Sequence, residues 1–302
     1  MSARLAVLAA SALAACTSAQ VDPQAGTAPD LRESGQQTWA EACADWDEWN
    51  KAGPPYRIYG NSYYVGTCGI AAILITGDAG HILIDGGPLN GGPLIEANIE
   101  ALGFSMQDVK LLLHSHEHHD HVGGLAYLQR VSGAETIASH GAAAAMRSGE
   151  PQLGDPQQTS LDPFEPVTVS REVGSYDFVS LGKLSLIPLE TPGHTPGALS
   201  WQWWSCEGTD CRVIAYVDSL SPISAEDYRF SDHPDYVAQY RSAIETIRTV
   251  PCDILMTPHP SASDMRTRMT SQNGLTDASK CVAYAEAMEA RLDTRLAEEA
   301  AE

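Results

Sequence analysis

The sequence predicts an α/β domain in which two β-sheets are faced by helices. Three observations point there. Apolar β-rich runs alternate with helical patterns in both halves of the chain, short turn signals punctuate them, and no linker or internal repeat divides the 302 residues.

Taken in order, the chain opens with Arg4 before an apolar run from Leu5 to Ala15. That run is too short to stay in a bilayer as a helix and has the layout of a bacterial secretory signal over residues 1–19. Leu13-Ala14-Ala15-Cys16 resembles a lipobox, which would make Cys16 a lipid anchor; cleavage after Ala19 is the rival. Residues 20–45 are polar and turn-rich and read as an exposed leader, leaving one domain over 46–302. Strands are expected at 56–60, 62–76 and 81–87, the last two joined by the turn Gly77-Asp78-Ala79-Gly80. Pro93 opens a helix whose Leu94, Ile95, Ile99 and Leu102 share a side, ending at Gly103. VKLLL (109–113) is a buried strand; a helix follows from Gly124 and a short strand at ETIAS. Strands recur at 184–190, 198–204 and 212–218. A helix over 236–249 then leads to strand 253–257, and the C-terminus is helical by propensity.

The charge balance, 39 acidic against 18 basic residues, argues against nucleic acid as a partner. No stretch after the leader is long and apolar enough to be a transmembrane helix. Seven cysteines are present, and setting Cys16 aside leaves six, an even number that suits disulfides in an exported chain. Cys206 and Cys211 enclose a hairpin-sized loop and are the first pairing expected. Sequential pairing of Cys43 with Cys68 and of Cys252 with Cys281 is the simplest assignment of the others. No CxxC pair suggests a thiolate metal site.

The chemistry concentrates in LLLHSHEHHDHVGG, where five of the ten histidines fall within eight residues. His116 and His118 lie two apart, so on an extended segment both rings project to one side. Asp120 and His121 follow where the chain turns toward Gly123-Gly124. Imidazoles and a carboxylate beside a strand end are the ligand types zinc favours. Four ligands exceed the three that one catalytic zinc takes, so two ions fit better, each needing one more ligand. His194 in ETPGHTPG and His259 in TPHP, both in turns just after strands, complete two sets of three. The remaining histidines receive plainer readings. His119 points away from the ligands, His114 is a satisfied buried histidine, and His81, His140 and His233 are structural or exposed. Glu117 faces solvent or caps a turn. Trp201, Trp203 and Trp204 belong to core and sheet face.

HSHEHHDHVGG, TPGHTPG, VDSLSP and TPHP, in that order, resemble the metallo-β-lactamase superfamily, and most of all its subclass B3, from about Tyr56 to the C-terminus. The narrower likeness rests on export, on His121 in place of a second-site cysteine, and on the serines of DSLS. The SCEGTDC loop and GDPQ (154–157) look like a B3 branch with extra disulfides. The resemblance implies an αββα sandwich with helices on the outer faces. It makes His116, His118 and His194 ligands of one zinc, and Asp120, His121 and His259 ligands of a second. It further implies that Ser219 hydrogen-bonds water at the second zinc, that Ser221 and Gln157 meet the substrate, and that Asp85 buttresses the ligand loop.

The expected activity is hydrolysis of the β-lactam amide by a zinc-bound hydroxide, which Asp120 orients, giving resistance to penicillins, cephalosporins and carbapenems. No lysine near DSLS is available for the substrate carboxylate, so hydroxyls and zinc are expected to bind it. A periplasmic monomer is expected. The alternative is another exported dinuclear zinc hydrolase, a lactonase or thioesterase, in which Asp218 would bridge the metals.

Overall fold

In the computed structural model, which describes residues 31–44 and 48–301, the strands form two sheets. The secretory signal and Cys16 lie outside the described residues. The first sheet holds β1 (Tyr56–Tyr59), β2 (Ser62–Tyr64), β3 (Ile73–Ile75), β4 (His81–Ile84), β5 (Val109–Leu113), β6 (Glu135–Ser139) and β7 (Val169–Val173), in that spatial order. Its first four strands are an antiparallel meander, and β4 to β7 run parallel. The crossovers between the parallel strands are supplied by α2 (Gly91–Ala101), by α3 (His119–Val122) with α4 (Leu125–Ser132), and by α5 (Ala143–Ser148). The second sheet, ordered β12-β11-β10-β9-β8, holds β8 (Val179–Leu181), β9 (Leu184–Glu190), β10 (Leu199–Glu207), β11 (Asp210–Tyr216) and β12 (Ile254–Met256). Only β11 and β12 pair in parallel there, with α6 (Pro234–Thr249) between them in sequence.

Alternation along each strand makes three layers of apolar packing. Ile82, Ile84, Leu111, Leu113, Trp201, Trp203, Ile214 and Tyr216 meet between the sheets. Leu83, Leu112 and Ala138 face the opposite way, onto α2, α4 and α5. Ala215, Val217 and Leu255 face α6 and the long C-terminal α8 (Ser279–Ala301). The result is the αββα sandwich. Burial at roughly 1.5–3 kcal/mol for each large apolar side chain makes these layers its main stabiliser.

Four local expectations are corrected. Residues 31–42 are not an exposed leader but α1, and Trp39, Ala40 and Cys43 are buried. Trp39 packs edge-on against Tyr56 and Tyr64, and Cys43 is joined to Cys68. One tryptophan and one cysteine are enough to dock an otherwise polar helix. The run 62–76 is not one strand: β2 and β3 flank a loop, 65–72, closed by Tyr64 Oη donating to Ile70 O and pinned by that same disulfide. The helix begins at Gly91 rather than Pro93. Finally β7, β8 and α5 carry too little apolar pattern to have been expected. The other two disulfides join Cys206 to Cys211 and Cys252 to Cys281. Of the tryptophans, Trp201 and Trp203 enter the core and Trp204 is exposed.

Candidate metal centre

Strand ends deliver the site. β5 stops at Leu113, and the chain bends at Ser115, Glu117 and His118, the last with φ −81° and ψ 151°. It then turns into α3, so His116 and His118 precede the helical turn that carries Asp120 and His121. The close approach of α4 to the turn after β4 requires a glycine: a Cβ on Gly124 would lie 2.2 Å from the Gly86 carbonyl oxygen. His194 sits between β9 and β10, and His259 follows β12.

The six side chains form two adjoining groups, and His118, His194, Asp120 and His259 among them line one cavity. One nitrogen from each of His116, His118 and His194 lies within 4.8 Å of the others. In the second group, His121 Nε2 is 3.0 Å from Asp120 Oδ2 and 3.2 Å from His259 Nε2, and His259 Nε2 is 3.4 Å from the same carboxylate. The rings of His116 and His121, 4.1 Å apart, join the two groups. The cavity is about 390 Å³, within the range of small-molecule sites, with Trp49, Leu161 and Ile223 among its lining residues.

Three of the imidazoles, those of His116, His118 and His194, are held from behind by a hydrogen bond, which selects the nitrogen each presents. Asp218 Oδ1 is 2.7 Å from His116 Nδ1, leaving the buried Nε2 without a protein partner. Asp155 Oδ2 is 3.0 Å from His118 Nε2, so Nδ1 of that ring is the free one. His194 Nδ1 donates to the Ser221 carbonyl at 3.0 Å, and Asp85 Oδ2 stands 3.7 Å from His121 Nδ1. Asp85 holds a left-handed backbone, φ 69°, at the end of β4, a strained position for a residue with a Cβ. Its carboxylate accepts from Ser115 N, Ser115 Oγ and Tyr216 Oη.

Electrostatics keep lone pairs available. Burial, reinforced by neighbouring imidazoles, holds His116 and His194 well below the usual histidine range. Burial also pushes His259 down to about 4 and lifts Asp218. His121 differs: burial opposes its charge, but the Asp120 carboxylate and Asp85 prevail and raise it to about 10. Asp120 in turn is held well below the carboxylate range by His121 and His259, against the effect of burial. Nitrogen and carboxylate donors with an orphaned, buried Nε2 among them are what a divalent transition metal binds.

The structure departs from the sequence reading at several residues around this centre. Glu117 is buried, not solvent-facing. It accepts from Gln152 Nε2 at 2.5 Å, Thr195 Oγ1 at 2.8 Å and Gly197 N at 2.9 Å, tying the HSHEHHD segment to the His194 loop. His119 opens α3 and lies beside the Trp49 ring on the cavity wall. His114 is buried, accepts from Ser139 N, and is depressed to about 4 by that burial. Gln157 Nε2 comes within 3.4 Å of His194 Nε2; its backbone N–H donates to Asp155 at 2.7 Å. Asp155 was missed as a partner of His118, because only the fold brings a residue 37 positions away behind that ring. Ser219 Oγ is buried and unpartnered, whereas Ser221 lines the cavity. Between them Leu220 adopts φ 42°, a strained turn that sets both serines. Arg291, from α8, reaches Ser221 Oγ at 3.3 Å, so a cation does stand beside the serine turn.

Sequence and structure comparisons agree with this geometry. Residues 65–203 match the model of the metallo-beta-lactamase superfamily. The MIM-2 metallo-β-lactamase is 53% identical, with 87% of this chain and 98% of that one covered at a TM-score of 0.84. The chain belongs to the metallo-β-lactamase superfamily. MIM-1 of Novosphingobium pentaromativorans is 49% identical over 88% of this chain and 98% of its own, with a TM-score of 0.85. MEM-A1, a subclass B3 metallo-β-lactamase from a soil metagenome library, is 41% identical over 84% of this chain and 99% of its own, with a TM-score of 0.81. The likeness is thus to subclass B3 members of the superfamily. Curated relatives include a hydroxyacylglutathione hydrolase of Bradyrhizobium sp., 32% identical over 110 residues. That match spans 36% of this chain and 34% of the relative. Among the described residues no helix is long and apolar enough to cross a membrane.

Proposed function

We propose that the protein is an exported, periplasmic β-lactamase of the B3 type that opens the lactam amide of penicillins, cephalosporins or carbapenems with two zinc ions. The observation that carries this is the pair of adjoining three-residue groups beside one cavity, with the rear nitrogens of His116, His118 and His194 already engaged. His116, His118 and His194 would hold one ion, and Asp120, His121 and His259 the other. Zinc there supplies a nucleophilic water at neutral pH and a Lewis acid for the carbonyl. The remaining work falls to the protein. Asp120, whose carboxylate stays ionised, orients the nucleophile; Gln157 and Ser221 flank the substrate; Trp49, Leu161 and Ile223 exclude water from its apolar parts. Ser219, buried and unpartnered, is available to a water at the second ion.

A thioesterase or lactonase is the competing reading, favoured by the hydroxyacylglutathione hydrolase matches. It assigns Asp218 to a bridge between metals. Asp218 Oδ1 engages the rear nitrogen of His116 while its buried Oδ2 has no partner, and the greater likeness to metallo-β-lactamases supports the lactam reading. The test is hydrolysis of a chromogenic cephalosporin and a carbapenem by the mature protein with zinc, after chelation and after zinc is restored. Turnover that disappears and returns is the expected result. Two bound zincs per chain without lactam turnover would sink it and point to thioesters and lactones.

A further inference from the structure

The C-terminal helix does more than cover the second sheet. Tyr284, Met288 and Arg291 lie four and three residues apart on α8, hence on one face, and all three meet the serine turn. Tyr284 Oη donates to the Ser219 carbonyl, Ser221 Oγ is 4.0 Å from Met288 Sδ, and Arg291 Nη1 donates to Ser221 Oγ at 3.3 Å. The disulfide from Cys252 to Cys281 anchors the start of this helix. Ser221 consequently joins a candidate metal ligand to a cation: its carbonyl holds His194 and its hydroxyl receives Arg291.

The guanidinium lines the cavity and has no carboxylate partner among the described residues. In a chain with 39 acidic side chains that is unusual, and the helix shows how it comes about. Its neighbours Glu289 and Asp293 are taken by Arg241 and Arg248 of α6, and Glu299 by Arg295. Arg266, the other arginine on the cavity wall, already gives its Nε to the Ala40 carbonyl. A guanidinium has five N–H donors, and among the described residues only Nη1 of Arg291 is engaged, by one hydroxyl and one weakly accepting sulfur.

We propose that Arg291 is the residue that selects a carboxylate-bearing substrate in this cavity, receiving the carboxylate together with the Ser221 hydroxyl. The assignment rests on the β-lactam reading and deepens it. It replaces the expectation that hydroxyls and zinc alone bind that group. Arg291 meets the substrate away from the reacting bond, so it contributes to ground state and transition state alike. Its loss is therefore read in KM rather than kcat.

The experiment compares the zinc-loaded wild type with Arg291→Ala, Arg291→Lys and, as a control for lost positive charge, Lys183→Ala in an exposed turn. Each is assayed on a chromogenic cephalosporin and on its methyl ester. For Arg291→Ala the expected result is a KM about tenfold higher on the acid, kcat within about twofold, and no change on the ester. Arg291→Lys should retain most of the acid preference and Lys183→Ala all of it. Rising salt should weaken acid binding in the wild type and leave Arg291→Ala nearly flat. A defect equal on acid and ester, or no defect on either, overturns the assignment while leaving the activity intact. A wild type that hydrolyses neither form overturns the β-lactam reading instead, and this assignment with it.

Discussion

Glu117 shows how one side chain can be mistaken and then explain much. By sequence it stands between two candidate metal ligands, His116 and His118, as a spare acid. In space its carboxylate takes three donors from two other loops and is almost fully buried. Burial raises its pKa, and the His118 imidazole and the hydrogen bond from Thr195 work against that. Removing it leaves Thr195 Oγ1 and Gly197 N without their acceptor, each an unsatisfied group in a closed interior. Glu117→Ala should destabilise the fold by about 2–4 kcal/mol in urea unfolding. It should also loosen the His194 loop, seen as faster metal loss to a chelator. Wild-type stability in that variant would mean the three donors find water at little cost.

At the scale of elements, α8 is held at both ends. Cys281 ties its first turn to Cys252, and Glu299 near its last turn accepts from Phe230 N, Ser231 N and Arg295 Nε. Burial alone would raise the Glu299 pKa, but the Ser231 and Arg295 donors dominate and hold it below the ordinary value. A carboxyl whose folded pKa lies below its unfolded one stabilises the protein above the unfolded value, near pH 4.3, and ceases to do so as pH falls through the folded one. Glu299→Gln should therefore cost about 1–2 kcal/mol at neutral pH and flatten the acid side of the stability curve. Denaturant titrations at several pH values measure both. A variant whose curve parallels the wild type down to the acid limb would assign the acid sensitivity elsewhere.

For the molecule as a whole, the metal centre is a junction. Its six candidate ligands come from three separate loops that follow β5, β9 and β12, and these strands belong to both sheets. Ions bound there would bind the native state and not the unfolded chain, so they add stability by mass action. At free metal a thousandfold above Kd the gain is about 4 kcal/mol per site. Chelation of the purified protein should lower Tm by roughly 10 °C, and zinc should restore it. An unchanged Tm after verified metal removal would show that the loops keep their geometry without the ions. The hydrogen bonds behind His116, His118 and His194 favour partial retention of that geometry, since Asp218, Asp155 and the Ser221 carbonyl are in place already.

Much of this was legible in the sequence because the signals are local. VKLLL, ETIAS and LSLIPLE are strands at the expected residues, since a short buried strand is specified by its own apolar run. The density of histidines, read with TPGHTPG and TPHP, named the side chains that the fold assembles. What tertiary structure alone decided is every relation across long separations. α1 is docked by Trp39 and a disulfide, against a composition that reads as a leader. Glu117 is buried because loops from elsewhere close over it. Asp155 and Asp218 stand behind ligand rings 37 and 102 positions away, and Arg291 reaches a serine 70 positions before it. Ligand types are a property of residues, whereas the partner behind each ligand and the cation beside the substrate are properties of how sheets and helices pack. No periodicity along the chain encodes those.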